Sequence, residues 1–300
     1  MSTIEKALEK LKGGPSGGID DGDSQPDDAV VGKAPAQTQD ELPGSTPEPQ
    51  QQARGKASRR LNLDFERLAA LGFLTPESGR TQLAEEMRHI KRPLVVNACS
   101  RSNGAAHNVN LIMVTSSKPS EGKTYTSLNL AMSIAKERDK TVLLVDADVA
   151  KPGVTRILGM EKEKGLVDYL VDESLDIPDV MLKTNVPNLR FIPAGKRHIH
   201  STELLTSDRM KRLVQDFCTR YPDRIVVIDS PPLLATSEAA VLTGLVGQIV
   251  MVVEAEKTTQ QEIEEALGLI NEGASVGLVL NKARGSYGGE SYGSYGAYGD

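Results

Sequence analysis

Apolar residues fall into two rhythms along this chain, and the texture changes near position 109. Beyond it, short and nearly continuous apolar runs at 111–115, 141–145, 189–192, 225–228, 248–253 and 276–280 read as strands. Helical periodicity fills most of the gaps, at 123–137, 201–219, 236–245 and 258–272. Strands apolar on both faces, alternating with helices, predict a mainly parallel sheet covered on two sides. The right-handed crossover rule makes this an α/β three-layer sandwich, with its chemistry at the strand C-terminal ends. Upstream, 61–72 and 81–92 look helical, with Pro76 and Gly79 between them. Ile4, Ala7, Leu8 and Leu11 mark a short amphipathic helix over 1–12. The apolar stretch 239–253 is too short and too interrupted by Thr243, Gly244, Gly247 and Gln248 to span a bilayer. It reads as a helix end, a glycine turn and a buried strand.

The run 111–115 leads into Ser116, Ser117, Lys118, Pro119, Ser120, Glu121, Gly122, Lys123 and Thr124, followed by a helix. That is a P-loop in its required strand–loop–helix context, with Ser117 where the strict pattern has Gly. Its backbone N–H groups and the helix N-terminus suit phosphate oxygens, Lys123 suits the β/γ-phosphates, and the Thr124 hydroxyl suits Mg²⁺. The nucleotide-contacting stretch is taken as 117–125; Tyr125 closes it and reads as helix packing rather than as a phosphate acceptor. Two further apolar strands end in carboxylates, Asp146 and Asp148 on one and Asp229 on the other. Mg²⁺ is typically held by one or two carboxylates, a hydroxyl, waters and substrate phosphates, so Thr124, Asp148 and Asp229 are its candidate ligands. Asn281, at the end of the last strand, carries a side-chain amide that suits a purine edge. His198 and His200 lack a third ligand at fitting spacing and read as a polar loop.

Charge and composition narrow the class. The chain has 300 residues and a net charge of −6, which argues against a general nucleic-acid partner. Residues 13–53 carry eight acids against Lys33 alone, a balance of −7, so the remainder is close to neutral. Rich in Pro and Gly and without an aromatic residue, 13–58 cannot bury enough apolar surface to offset its ordering entropy and is expected to be disordered. Cys99 and Cys218 form no metal-ligand spacing, and Met1–Lys12 lacks the apolar core of a signal peptide. Both point to a cytoplasmic protein. At the other end, Tyr287, Tyr292, Tyr295 and Tyr298 sit among Gly and Ser in a flexible tail, as accessible phenols rather than core residues.

Together these motifs resemble the BY-kinases, bacterial protein-tyrosine kinases built on a P-loop fold, over roughly residues 81–300. The resemblance identifies Asp146 and Asp148 with the Walker A′ strand, and Asp229 with Walker B. It implies catalytic roles for Lys123, Asp146, Asp148 and Asp229, ATP and Mg²⁺ as cofactors, and autophosphorylation of the four tail tyrosines. It implies a homo-oligomer contacted through Glu85, Arg88 and Lys91, the last standing where the family has Arg. The opening residues, the acidic linker and 85–94 are similar to a narrower branch, the exosortase-linked exopolysaccharide tyrosine autokinases. That similarity implies a membrane chain-length or co-polymerase partner that recruits the chain to the inner face of the membrane, and a tyrosine phosphatase. Lys118 also matches the second lysine of the ParA/MinD-type ATPases, so an ATPase switch stands as one rival. A non-catalytic nucleotide sensor is the other. The expected organisation is an N-terminal helix (1–12), a linker (13–58), a helical contact segment (59–92), the P-loop domain (93–283) and the tail (284–300).

The linker reading has a direct check. Limited proteolysis should cut within 13–58 and leave a stable fragment starting near 59–80; protection through 20–50 would contradict it.

Overall fold

The computed structural model describes residues 59–99, 108–220 and 223–284. The amphipathic helix 1–12, the linker 13–58 and the four tail tyrosines lie outside the described residues. The chain enters through a two-residue strand β1 (Arg60–Leu61), a short helix α1 (Phe65–Ala70) and a long helix α2 (Gln82–Cys99). Next come β2 (Leu111–Ser116), α3 (Lys123–Ala135), β3 (Thr141–Asp146), α4 (Gly153–Ile157), α5 (Leu166–Val171) and α6 (Ile177–Val180). An antiparallel pair, β4 (Leu182–Thr184) and β5 (Leu189–Ile192), precedes α7 (Ser201–Leu205) and α8 (Asp208–Thr219). The core closes with β6 (Arg224–Asp229), α9 (Ser237–Thr243), β7 (Gln248–Glu254), α10 (Gln260–Leu267) and β8 (Ser275–Asn281).

The strands form one sheet in the order β1-β4-β5-β3-β6-β2-β7-β8. From β5 to β8 every pairing is parallel, as expected of strands buried on both faces. Every residue of β2, β6 and β7 is buried, which is why each reads as a continuous apolar run. One face packs Ile112, Val114, Leu144 and Val227 against α2 and α3. The other packs Leu111, Met113, Val226 and Ile228 against the layer containing α8 and α9. Sheet and two helical layers give the expected P-loop three-layer sandwich.

Several elements depart from the sequence reading. The stretch 201–219 is two helices, because Ser207 interrupts it and its hydroxyl caps α8 by accepting from the Met210 N–H at 3.2 Å. Helix α2 runs through Pro93 to Cys99, so the boundary placed at 92/93 falls mid-helix. The helix expected over 61–72 shortens to α1, and its first residue, Leu61, belongs to β1 beside β4. No helix among the described residues is long and apolar enough to cross a membrane.

Leu128, on α3, is fully buried between the helix and the sheet. Leu128→Ala should therefore cost about 2–5 kcal/mol, read as a lowered denaturation midpoint with an unchanged slope.

Candidate active site

Strand order builds the site. β3, β6 and β2 are adjacent, so their C-terminal ends place two carboxylate stations and the P-loop side by side. Asp146 and Asp229 are register partners, one residue across from the other. The Ala147 N–H donates to the Asp229 carbonyl at 2.8 Å, carrying that register one residue past β3. On the other flank the Leu233 and Leu234 N–H groups donate to the Ser116 and Ser117 carbonyls, binding the loop's first residues to the segment after β6.

Lys123 opens α3 and is 8% exposed. Its ammonium donates to Asp148 Oδ2 at 2.7 Å. Burial works against that charge, but Asp229, Asp148 and Asp146 outweigh it and hold the Lys123 pKa above its ordinary value. Asp229 has both oxygens engaged: Thr124 Oγ1 donates to Oδ2 at 2.8 Å, and Ser127 Oγ to Oδ1 at 2.9 Å. Burial still pushes the Asp229 carboxyl up, and Lys123, Thr124 and Ser127 restrain the rise. Asp146 has no exposed surface. Its Oδ2 accepts from the Thr155 N–H at 2.7 Å, while Oδ1 is buried without a hydrogen-bond partner. Burial, reinforced by Asp229, raises its pKa from 3.8 to about 8.

The arrangement fits a magnesium nucleotide. Two buried oxygens without partners, Asp146 Oδ1 and Ser117 Oγ, belong to the carboxylate cluster and to the P-loop itself. The Thr124 hydroxyl stands beside Asp229, and Asp148 is held by the lysine that phosphate would claim. Gly153, at the start of α4, has no room for a side chain: a Cβ there would lie 2.6 Å from Thr124 Oγ1. Sequence reasoning overlooked Gly153, Ser127 and Thr155, although Ser127 lies four residues after Lys123 on one helix face, which is a readable signal.

The remaining candidate residues lie around the loop and on α2. Lys118 is ion-paired with Glu262, in the first turn of α10. Tyr125 turns toward the segment after α1: its hydroxyl donates to the Gly72 carbonyl at 2.8 Å and its ring lies 5.2 Å from Phe73. Pro119 and Ser120 are exposed in the loop, whereas Glu121 is buried. The Asn281 amide donates to the Glu121 carbonyl at 2.9 Å. Glu85 and Arg88 pair with each other on the exposed side of α2. Lys91 does not join them, because it is buried, donating to the Ser133 carbonyl and pairing with Glu137. Residues spaced by three drift about 60° per step around a helix of 3.6 residues per turn, so the third of the set turns inward.

A family model described as an AAA domain matches residues 109–275, more than half of the chain. The chain is 31% identical to the tyrosine-protein kinase CpsD of Streptococcus agalactiae, covering 63% of this chain and 81% of that one. The chain belongs to the bacterial tyrosine-kinase family of P-loop ATPases. It is 34% identical to the tyrosine-protein kinase wzc of Salmonella typhimurium over 62% of its own length. It spans about a quarter of the length of that relative, at 26%, and 20% of a longer one from Ralstonia nicotianae. The kinase domain of Escherichia coli tyrosine kinase ETK superposes with a TM-score of 0.57 at 26% identity, covering 84% of this chain and all of the other.

The buried carboxylates make a stability prediction. A carboxyl whose folded pKa exceeds its unfolded value favours the fold while protonated, so stability falls as pH rises from about 4 towards 8. Asp146→Asn should thus melt higher than the nucleotide-free parent at pH 7.5, by roughly a few degrees, with a gap that shrinks toward about pH 5. A gap that widens on acidification would contradict the sign.

Proposed function

We propose that this chain is an ATP-dependent protein-tyrosine autokinase that phosphorylates its own C-terminal tyrosines and thereby regulates exopolysaccharide synthesis or export. The observation that carries the reading is the Lys123 ammonium set among Asp146, Asp148 and Asp229 at the foot of a P-loop. The family names of CpsD, wzc and ETK support tyrosine as the acceptor class.

Phosphoryl transfer from ATP asks the protein mainly for positioning and charge neutralisation. Lys123, which now contacts Asp148, would pair with the β/γ-phosphates. Thr124, Asp148 and Asp229 would hold Mg²⁺, with the Thr124 hydroxyl placed by its 2.8 Å hydrogen bond to Asp229. When bound, Mg²⁺ supplies charge neutralisation on the transferred phosphoryl group. Asp146 orients or deprotonates the acceptor phenol. A carboxylate of raised basicity suits that role better than one of ordinary pKa, since general bases work best near the operating pH. Ser117 to Thr124 line the phosphates.

Tyr287, Tyr292, Tyr295 and Tyr298 are the acceptors, reached between copies of the chain. Glu85 and Arg88, exposed together on α2, offer the contact surface to a neighbouring copy; buried Lys91 supports it through Glu137. A membrane chain-length or co-polymerase protein recruits the assembly to the inner face of the membrane, and a tyrosine phosphatase resets it. Four phosphates on the tail would add roughly six to eight negative charges, enough to oppose association.

The test combines two defective chains. Lys123→Met with an intact tail should show no phosphotyrosine alone with Mg·ATP while remaining folded. Mixed with a chain carrying Phe at the four tail positions, it should become labelled. Labelling of Lys123→Met alone would remove the kinase reading, and labelling of wild type at a concentration-independent rate, with none on mixing, would remove transfer between copies.

A further inference from the structure

Two peptide planes of the P-loop are held from outside by the end of β8. The Ser120 carbonyl accepts from Lys282 Nζ at 2.7 Å, and the Glu121 carbonyl accepts from Asn281 Nδ2 at 2.9 Å. In a planar trans peptide, C=O and the following N–H point in opposite directions. Drawing those two carbonyls toward β8 therefore turns the N–H groups of Glu121 and Gly122 away from β8. They are two of the loop donors on which phosphate binding depends.

The backbone here is unusual on both sides of the contact. Ser120 has φ 71° and Gly122 has φ 105°, and Lys282 is itself left-handed at φ 58°. Non-glycine residues in that region carry strain and persist where their surroundings over-determine them. The surroundings do so here. Lys282 also pairs with Glu254 Oε2 at 2.9 Å, and Glu254 is further held by Lys257 at 2.5 Å. The Glu254 N–H donates to Thr258 Oγ1 at 3.1 Å, and that hydroxyl meets the Glu121 carboxylate. The other Glu121 oxygen accepts from the Lys118 N–H at 2.8 Å. The fit is close at the remaining position too: a Cβ on Gly122 would lie 1.9 Å from the Asn281 amide nitrogen.

We propose that Asn281 and Lys282 are positioning residues that set the P-loop donors for polyphosphate, with Glu121, Thr258 and Glu254 bracing them, and that Asn281 serves the loop rather than the base. The inference rests on the nucleotide-binding part of the proposed function. It assigns Asn281 a task that recognition of a purine edge would not predict. The clamp acts on whatever carries the phosphates, so its effect is independent of the base.

The experiment measures binding of Mg·ATP, Mg·GTP and magnesium tripolyphosphate, which has no base, to wild type, Asn281→Ala, Lys282→Met and Lys282→Arg. Each protein is first shown to be folded by its thermal transition. The expected result is a loss of about tenfold for both ATP and tripolyphosphate in Asn281→Ala and Lys282→Met, the scale of one lost hydrogen bond to a charged or fixed group. The ATP-to-GTP ratio should stay constant, and Lys282→Arg should recover most of the affinity. If Asn281→Ala loses ATP but keeps tripolyphosphate, Asn281 reads the base and the inference fails. If wild type binds the ligands and both variants bind them equally well, the inference fails while the nucleotide site stands. If folded wild type binds neither ATP nor tripolyphosphate, the nucleotide reading itself falls, and the positioning role with it.

Discussion

A buried ammonium held among three buried carboxylates is the interaction on which the rest of this molecule depends. Lys123, Asp148, Asp229 and Asp146 are each 8% exposed or less, in an interior where an unpaired charge would be costly. The sheet order brings them together, since the P-loop follows β2 and the aspartates end β3 and β6 on the same edge. The cluster holds more carboxylate than ammonium; burial raises the pKa values of Asp146 and Asp229, and neighbouring carboxylates add to the rise. A magnesium nucleotide would bring a cation for the carboxylates and phosphate oxygens for the lysine. The charges gathered at the strand ends are thus the ones that would fit a magnesium nucleotide.

Around this centre the structure invests in rigidity of backbone rather than in side chains aimed at a ligand. Gly153 is a glycine because Thr124 occupies the space its Cβ would need. Ser127 fixes Asp229, and the Thr155 N–H fixes Asp146 while its hydroxyl accepts from the Ala194 N–H at 2.9 Å. The left-handed residues of the loop are braced by the ends of β7 and β8. Each such contact removes freedom from a group that must be in place before phosphate arrives, which is how preorganised electrostatic sites gain their effect.

Much of this was legible in the sequence, and the misses share a physical cause. Continuous apolar runs such as 225–228 and 248–253 announced buried parallel strands because their burial on two faces leaves no alternation to confuse. The P-loop and the strand-end aspartates were legible because short spacing and a strand–loop–helix context determine them. The elements missed were short: β4 with three residues, α6 with four and α4 with five give too few positions for a period to show. Lys91 was assigned from the spacing of a family motif and Asn281 from its amide, whereas the side-chain partners the structure gives them lie 46 and 160 positions away. Such pairings depend on packing that local patterns do not encode.

The carboxylate cluster around Lys123 holds a proton that a magnesium nucleotide would displace. Isothermal titration of Mg·ATP into the protein at pH 7, repeated in buffers of different ionisation enthalpy, counts protons released on binding. With burial raising the Asp146 pKa to about 8, a fraction of a proton to one proton should be released, and Asp146→Asn should release fewer. Tight binding with no buffer dependence, or with proton uptake, would contradict the account.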